Sequence, residues 1–192
     1  MKTMIKRIVV IFLGVIISSC NTTNTTDFAV VSGEVGNSQL DQVLLTNDKD
    51  TFVIDVVDAS FSDTITLLKG YYNLVYGEQK QKVYLKPGFN IQIQFSETLN
   101  FAGKGAAENN YLAAKAALSK KHKQYLDSKY YAQFDENDFL GLMDSVEAIQ
   151  LNLLNEVEKQ FDSEFNFKEQ NKLKYAFLST KAGYEPARKY GA

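Results

Sequence analysis

Hydrophobic positions along this chain change period once. From Phe28 to Phe95 the apolar and β-branched residues come in short runs, each closed by a turn signal. Phe28–Val35 opens the series and Gln42–Thr46 follows Gly36-Asn37-Ser38. Asn47-Asp48-Lys49-Asp50 reads as a turn, and Phe52–Val57 and Phe61–Leu68 read as strands. Tyr71–Tyr76 lies between Gly70 and the Gly77-Glu78-Gln79 turn, and Gln81–Lys86 ends at Pro87-Gly88, which suits the two central positions of a type II turn. In Phe89–Phe95 the residues Phe89, Ile91, Ile93 and Phe95 alternate with Asn90, Gln92 and Gln94, so one face is buried and the other wet. Strands at about ten-residue spacing indicate an antiparallel sandwich or half-barrel.

At Gly103-Lys104-Gly105 the spacing becomes helical. Tyr111, Leu118, His122 and Tyr125 share a stripe of a helix expected from Ala106 to about Tyr131. Asp135 fits the N-cap of a second helix, along which Phe139, Leu142, Val146, Ile149, Leu153, Val157 and Phe161 recur every three or four residues. Lys168 to Lys181, with Leu173, Phe177 and Leu178, predicts a third. The expected fold is α+β: a β-rich domain over 28–103 followed by an all-α segment over 104–192. The apolar stripe of the second helix is expected to pack beside the β-domain rather than face water.

The N-terminus has a different character. Lys2, Lys6 and Arg7 precede the ten apolar residues Ile8–Ile17, and Ser18-Ser19-Cys20 follows directly. Ten residues rise about 15 Å as a helix, roughly half a bilayer's hydrocarbon thickness, which fits the core of a secretion signal and not a membrane span. Ile17-Ser18-Ser19-Cys20 resembles the lipobox of bacterial lipoproteins, in which the cysteine thiol receives a diacylglyceryl group before the leader is cut away. Residues 1–19 are then a signal peptide, and Cys20 is the lipidation site and membrane anchor. Residues 20–27, polar around Asn21–Thr26, are a tether. Localisation in the cell envelope follows, expected on the periplasm-facing side of an outer membrane.

Composition removes most catalytic classes. Cys20 is the only cysteine, so its lipidation leaves no thiol, disulfide or CxxC pair. His122 is the only histidine, which denies a Ser or Cys nucleophile its usual base and a zinc ion its usual ligands. His122 is expected to be a structural imidazole. Asp48 with Asp50 and Asp55 with Asp58 lack the order of acids of a calcium loop, and Gly103-Lys104-Gly105 is not a phosphate loop. No cofactor and no metal are expected, and the chain is read as no enzyme. The net charge of −2 and scattered lysines give no nucleic-acid stripe. Lys120-Lys121-His122-Lys123 reads as a solvated helix face. Eleven tyrosines and thirteen phenylalanines accompany no tryptophan, and Tyr71, Tyr72, Tyr76 and Tyr84 gather on two neighbouring strands. Alternation places Tyr72 and Tyr76 on one face and Tyr71 on the other. One set stabilises the sheet, and the other could form a contact surface.

Several short motifs then align with a family. Gly70-Tyr71-Tyr72, Val83-Tyr84-Leu85-Lys86-Pro87-Gly88, Phe101-Ala102-Gly103-Lys104-Gly105 and Asn109-Asn110-Tyr111-Leu112 follow the lipobox in order. The arrangement resembles the N-terminal domain that precedes the thioredoxin-like domain in thiol:disulfide interchange lipoproteins of Bacteroidetes, over roughly residues 1 to 190. The resemblance implies a non-catalytic accessory or docking module of a thiol:disulfide oxidoreductase system, partnered by the membrane and by a thioredoxin-like domain or periplasmic protein. The 192 residues contain no CxxC, so no catalytic residue carries over. The alternative is a free-standing lipoprotein that binds a ligand or protein through the aromatic face of the β-domain.

Overall fold

A computed structural model describes residues 27–36, 40–95 and 99–190. Eight strands come first: β1 Phe28–Glu34, β2 Gln42–Thr46, β3 Thr51–Asp55, β4 Ser60–Thr66, β5 Gly70–Tyr76, β6 Gln79–Leu85, β7 Asn90–Gln94 and β8 Asn100–Lys104. They form two four-stranded sheets, ordered β4-β1-β7-β8 and β3-β2-β5-β6. The sheets face each other as an open sandwich, and the half-barrel option falls away.

The core between the sheets comes from the inward half of each alternation: Ala29, Val31, Val43, Leu45, Tyr72, Leu74, Val83, Ile91 and Ile93 are essentially without exposure. In β7 the outward Asn90, Gln92 and Gln94 are exposed, as the alternation requires. Pro87-Gly88 makes the expected turn, with Gly88 at φ 81° and the Phe89 N–H donating to the Lys86 carbonyl at 3.1 Å. The Asn47 side chain closes its turn by accepting from the backbone of Lys49 and Asp50 at 2.8 and 2.7 Å. Asp58 and Ala59 turn the chain into β4, both at positive φ.

Two features differ from the strand reading. The pairing of β1 with β7 is parallel, whereas every other pairing is antiparallel. An eighth strand, β8, pairs with β7 beyond the last strand that alternation predicts. Its Asn-Phe-Ala-Gly-Lys sequence has a single large apolar residue, Phe101, so it carries no alternation to detect.

The helical part contains α1 Ala106–Lys121, α2 Ser128–Tyr131, α3 Glu136–Asn155, α4 Ser163–Ala182 and α5 Tyr184–Tyr190. The single helix expected to Tyr131 breaks at His122, and a 3₁₀ turn over Lys123–Leu126 leads to Asp127. Asp127 recaps the chain, its side chain accepting from the Lys129 N–H at 2.9 Å, and this local bond competes with helix continuation. Asp135 does cap α3, accepting from Asp138 N–H at 2.9 Å. The α4 helix begins five residues before the predicted Lys168, because Asp162 caps it.

Lys181, near the end of α4, pairs with Asp144 and Glu147 in the middle of α3, while Asn166 early in α4 reaches Glu158 just past the end of α3. The two helices are therefore antiparallel. The buried face of α3 runs Phe139, Met143, Val146, Gln150 and Leu154. That face is turned slightly from the predicted stripe, which leaves Ile149 at 45% exposure and Leu153 only part-buried. Leu178 of α4 is likewise exposed. Phe139 stacks on Tyr184 at 4.5 Å within a small second core with Tyr131 and Met143.

The β8–α1 junction depends on Gly105. Its φ is 106°, and a β-carbon there would fall on the Phe89 ring. Gly105→Ala therefore combines backbone strain with a clash in the core. It is expected to destabilise the chain by about 2 kcal/mol, read as a lowered midpoint in urea unfolding. An unchanged midpoint would refute it.

Candidate functional site

The chemistry-bearing side chains of the described residues concentrate where α1 and α4 meet the sandwich. Strands β6 and β8 are the edges of their respective sheets and lie on the same side of the sandwich, and α1 lies against both. An edge strand presents unpaired backbone groups. Asn109 and Asn110, neighbours on α1, take up one residue of each edge. The Asn109 amide accepts from the Tyr84 N–H at 2.8 Å and donates to the Tyr84 carbonyl at 2.9 Å. Asn110 does the same to Phe101, at 2.9 and 2.8 Å. Each side chain thus imitates one peptide unit of a neighbouring strand. Asn109 also donates to the Gly105 carbonyl at 2.8 Å, which fixes the first turn of α1.

The second half of the seam is the outer face of β5 and β6, which α4 covers. Tyr71 and Tyr84 are directly paired across these strands, with ring centroids 5.4 Å apart. Phe165 of α4, fully buried, packs on both and on Tyr111. Glu169, only 1% exposed, lies beneath this layer. Its carboxylate accepts from the Tyr71 hydroxyl at 2.7 Å, from Lys115 Nζ at 2.6 Å and from Lys172 Nζ at 3.0 Å. The Lys172 ammonium also sits 3.3 Å from the centre of the Tyr71 ring. Two turns earlier, Asp162 caps α4, pairs with Lys86 at 2.6 Å and accepts from the Tyr84 hydroxyl at 3.4 Å. Glu108 of α1 accepts from the Asp162 N–H at 2.9 Å.

These contacts set the charge state of the seam. Burial alone would raise the carboxyl of Glu169, but the hydrogen bond and charge of Lys115, with Tyr71 and Lys172, more than offset it and hold the group below its ordinary range. Asp162 behaves in the same way with Lys86 as its main partner. Burial pushes the hydroxyls of Tyr71, Tyr84 and Tyr111 well above the usual phenol range, and the neighbouring carboxylates push them further. Near neutral pH the carboxylates are therefore charged and the phenols neutral. The arrangement bolts two layers together.

The four tyrosines singled out from the sequence occupy three environments. Tyr72 is inside the sandwich, its hydroxyl donating to the Leu68 carbonyl at 2.7 Å. Tyr71 and Tyr84 lie in the seam beneath α4. Tyr76 is half-buried, edge-on to Phe95 at 4.4 Å, and bonds Gln79 at 2.8 Å. The helices of the same chain cover the outer aromatic face, so Tyr71 and Tyr84 offer no open contact surface. Cys20 lies outside the described residues. His122 is 6% exposed, beside Tyr125, and its Nδ1 makes no hydrogen bond among the described residues. Among those residues no group of three or more His, Cys, Asp or Glu could hold a metal ion. No helix among them is long and apolar enough to cross a membrane.

No family model matches the chain, and no curated protein matches it. Among solved structures it is similar to a DUF3823 family protein from Bacteroides ovatus ATCC 8483, at 11% identity and a TM-score of 0.26. That likeness covers 41% of this chain and 58% of the other, a little over half its length. It is a weak structural likeness.

Sequence reasoning placed Asn109 and Asn110 in a motif without reading their role, and it missed Asp162 and Glu169. Two consecutive asparagines inside an alanine-rich helix were the available signal, because asparagine is a poor helix former with no gain there unless its amide is used.

Proposed function

We propose that this protein is a membrane-anchored envelope lipoprotein, held through lipid on Cys20, whose folded part is a non-catalytic accessory or docking module of a thiol:disulfide oxidoreductase system. The observation that carries the anchor is the order Ile17-Ser18-Ser19-Cys20 after a ten-residue apolar run. The module reading is supported by where the family-like motifs fall. Tyr71, Tyr84, Phe101, Asn109 and Asn110 meet in one seam and bond one another's backbone or pack ring on ring. Residues that join two layers describe a scaffold, and a scaffold of this kind presents something else to the envelope. The finer assignment to thiol:disulfide interchange lipoproteins rests on those motifs and on the lipobox.

Cells expressing the chain and fed radioactive palmitate are expected to label the wild type, with label on Cys20→Ala reduced to background. Equal label in both would overturn the anchor. The purified chain is expected to give no insulin reduction above the dithiothreitol background, and a clear rate would overturn the non-catalytic reading. For the docking role, cross-linking in cells is expected to trap a partner that carries a CxxC. Products in which no CxxC protein occurs would retire the link to thiol:disulfide exchange.

A further inference from the structure

Asn109 occupies a single residue of the β6 edge. Because backbone groups alternate along a strand, the outward N–H and C=O of Tyr84 mean that those of Lys82 and Lys80 also point away from β5. No hydrogen bond to the N–H of Lys80 or Lys82 occurs among the described residues, and the Lys82 carbonyl is met only by the neighbouring Gln81 side chain at 2.9 Å. This half of β6 is thus an open strand edge next to a pairing site that the protein's own amide already uses.

The edge runs along two depressions that share Lys80, Gln81 and Ala116 in their walls. One part, about 720 Å³, lies between β6, β8 and the alanine face of α1, and includes Lys80 and Lys120. The other, about 310 Å³, lies between β6, α1 and α4, and includes Lys80, Lys82, Lys115 and Lys172. Glu169 is the one carboxylate lining either part, and two of those lysines and Tyr71 already saturate it. Five lysines therefore face one carboxylate on a chain whose net charge is −2. Burial lowers the Lys172 ammonium; its pairing with Glu169 opposes this, and the charges of Lys115 and Lys82 add to the lowering.

We infer that the Gln79–Val83 edge of β6, with Lys80, Lys82, Lys115, Lys120 and Lys172, is a docking strip for an extended acidic peptide that adds as a fifth strand beside β6. Main-chain pairing supplies the hydrogen bonds in this mode of recognition, and side chains of alternate residues supply selectivity. Glutamates on one face of the incoming strand would meet the lysines. The small alanine side chains of Ala113, Ala114 and Ala117 leave room beside α1 for the added backbone. A free edge and a matching charge together favour a strand over a flat anionic surface. The inference deepens the docking reading given above, but its test needs neither lipid nor thiol chemistry, so each can fail alone.

The test is fluorescence anisotropy with the full chain in detergent and a fluorescein-labelled decapeptide of alternating glutamate and valine. The expected result is saturable binding that weakens as salt rises and is absent for the alternating lysine–valine peptide. Lys80→Glu with Lys82→Glu is expected to weaken binding by about tenfold or more. Lys82→Pro removes the outward N–H without removing a bond to β5, since proline is tolerated on a solvent-facing strand edge. It is expected to weaken binding comparably while circular dichroism and the melting midpoint stay near wild type. Absent binding, or equal binding of both peptides, would overturn the inference. Binding that Lys82→Pro leaves unchanged would overturn strand addition. Displacement of the peptide by phosphatidylglycerol vesicles, as effectively as by unlabelled peptide, would assign the lysines to a membrane surface instead and also overturn it.

Discussion

Asn109→Ala is expected to lower the unfolding free energy by about 3 kcal/mol, because it strips two buried backbone groups of their partners, each worth roughly 1 to 3 kcal/mol when left unmet. The amide is fully buried and holds both the N–H and the carbonyl of Tyr84, itself without exposure. Water cannot easily replace it there. In a chain of this size such a loss corresponds to a melting point lower by roughly 10 °C. Asn110→Ala serves as the internal comparison. Its bonds to Phe101 are only part-buried, so water can take over and the loss should be nearer 1 kcal/mol. Equal effects from the two substitutions would show that the amides are not matched to their strand edges as described. Asn109→Asp refines the test. The aspartate can accept from the Tyr84 N–H but cannot donate to the carbonyl, and it buries a charge, so it should be the worse variant at neutral pH. Its deficit should shrink as pH falls and the carboxyl gains a proton to donate.

The second large effect is expected at Glu169. Removing one member of a buried charge cluster typically costs 3 to 5 kcal/mol, since the remaining charges lose their partner. Here Lys172 reaches water, with its side chain 47% exposed, whereas Lys115 is 22% exposed. Glu169→Ala should therefore fall at the low end, at about 3 kcal/mol. The pH dependence gives a sharper check. The carboxyl sits below its ordinary value of 4.5 in the folded chain, so it binds protons less readily there than when unfolded. Its stabilisation is complete above about 4.5 and is lost as pH falls through the folded value. The stability gap between wild type and Glu169→Gln, measured by urea unfolding, should be widest near neutral pH and narrow steadily below pH 4.5. A gap independent of pH would mean that the charge of Glu169 does not contribute in the way its contacts indicate.

How much of this was legible in the sequence varied with how local the physics is. The alternation of β7 and the Pro87-Gly88 turn depend on residues a few positions apart, and both appear where the pattern put them. The assignment of Tyr71 and Tyr72 to opposite faces is local too, and it holds. What covers the Tyr71 face is not local. Only the folded chain brings Phe165 and Glu169 over it, the latter from 98 positions away. A carboxylate within Phe167-Lys168-Glu169-Gln170 has the same letters around it as one on a solvated helix face, so its burial left no trace in hydrophobic periodicity. The parallel partner of β1 was equally hidden, because alternation reports which face of a strand is buried and never which strand lies beside it.

The parallel β1–β7 pair has a consequence for how the chain reaches its native state. Ser32 donates to the Ile91 carbonyl across 59 positions, and β1 lies inside its sheet between β4 and β7. That sheet cannot be completed until β7 and β8 have emerged, and the Asn109–Asn110 clasp closes later still. Pairings this distant in sequence require loop-closure entropy before they return any stability, which slows folding relative to a meander of local hairpins. During that interval the β4-β1 pair and the β2, β3, β5 and β6 strands hold open edges. The order of emergence therefore places the greatest exposure to misassociation before α1 arrives, and the helix that follows the sandwich then closes the β6 edge at Tyr84 and the β8 edge at Phe101.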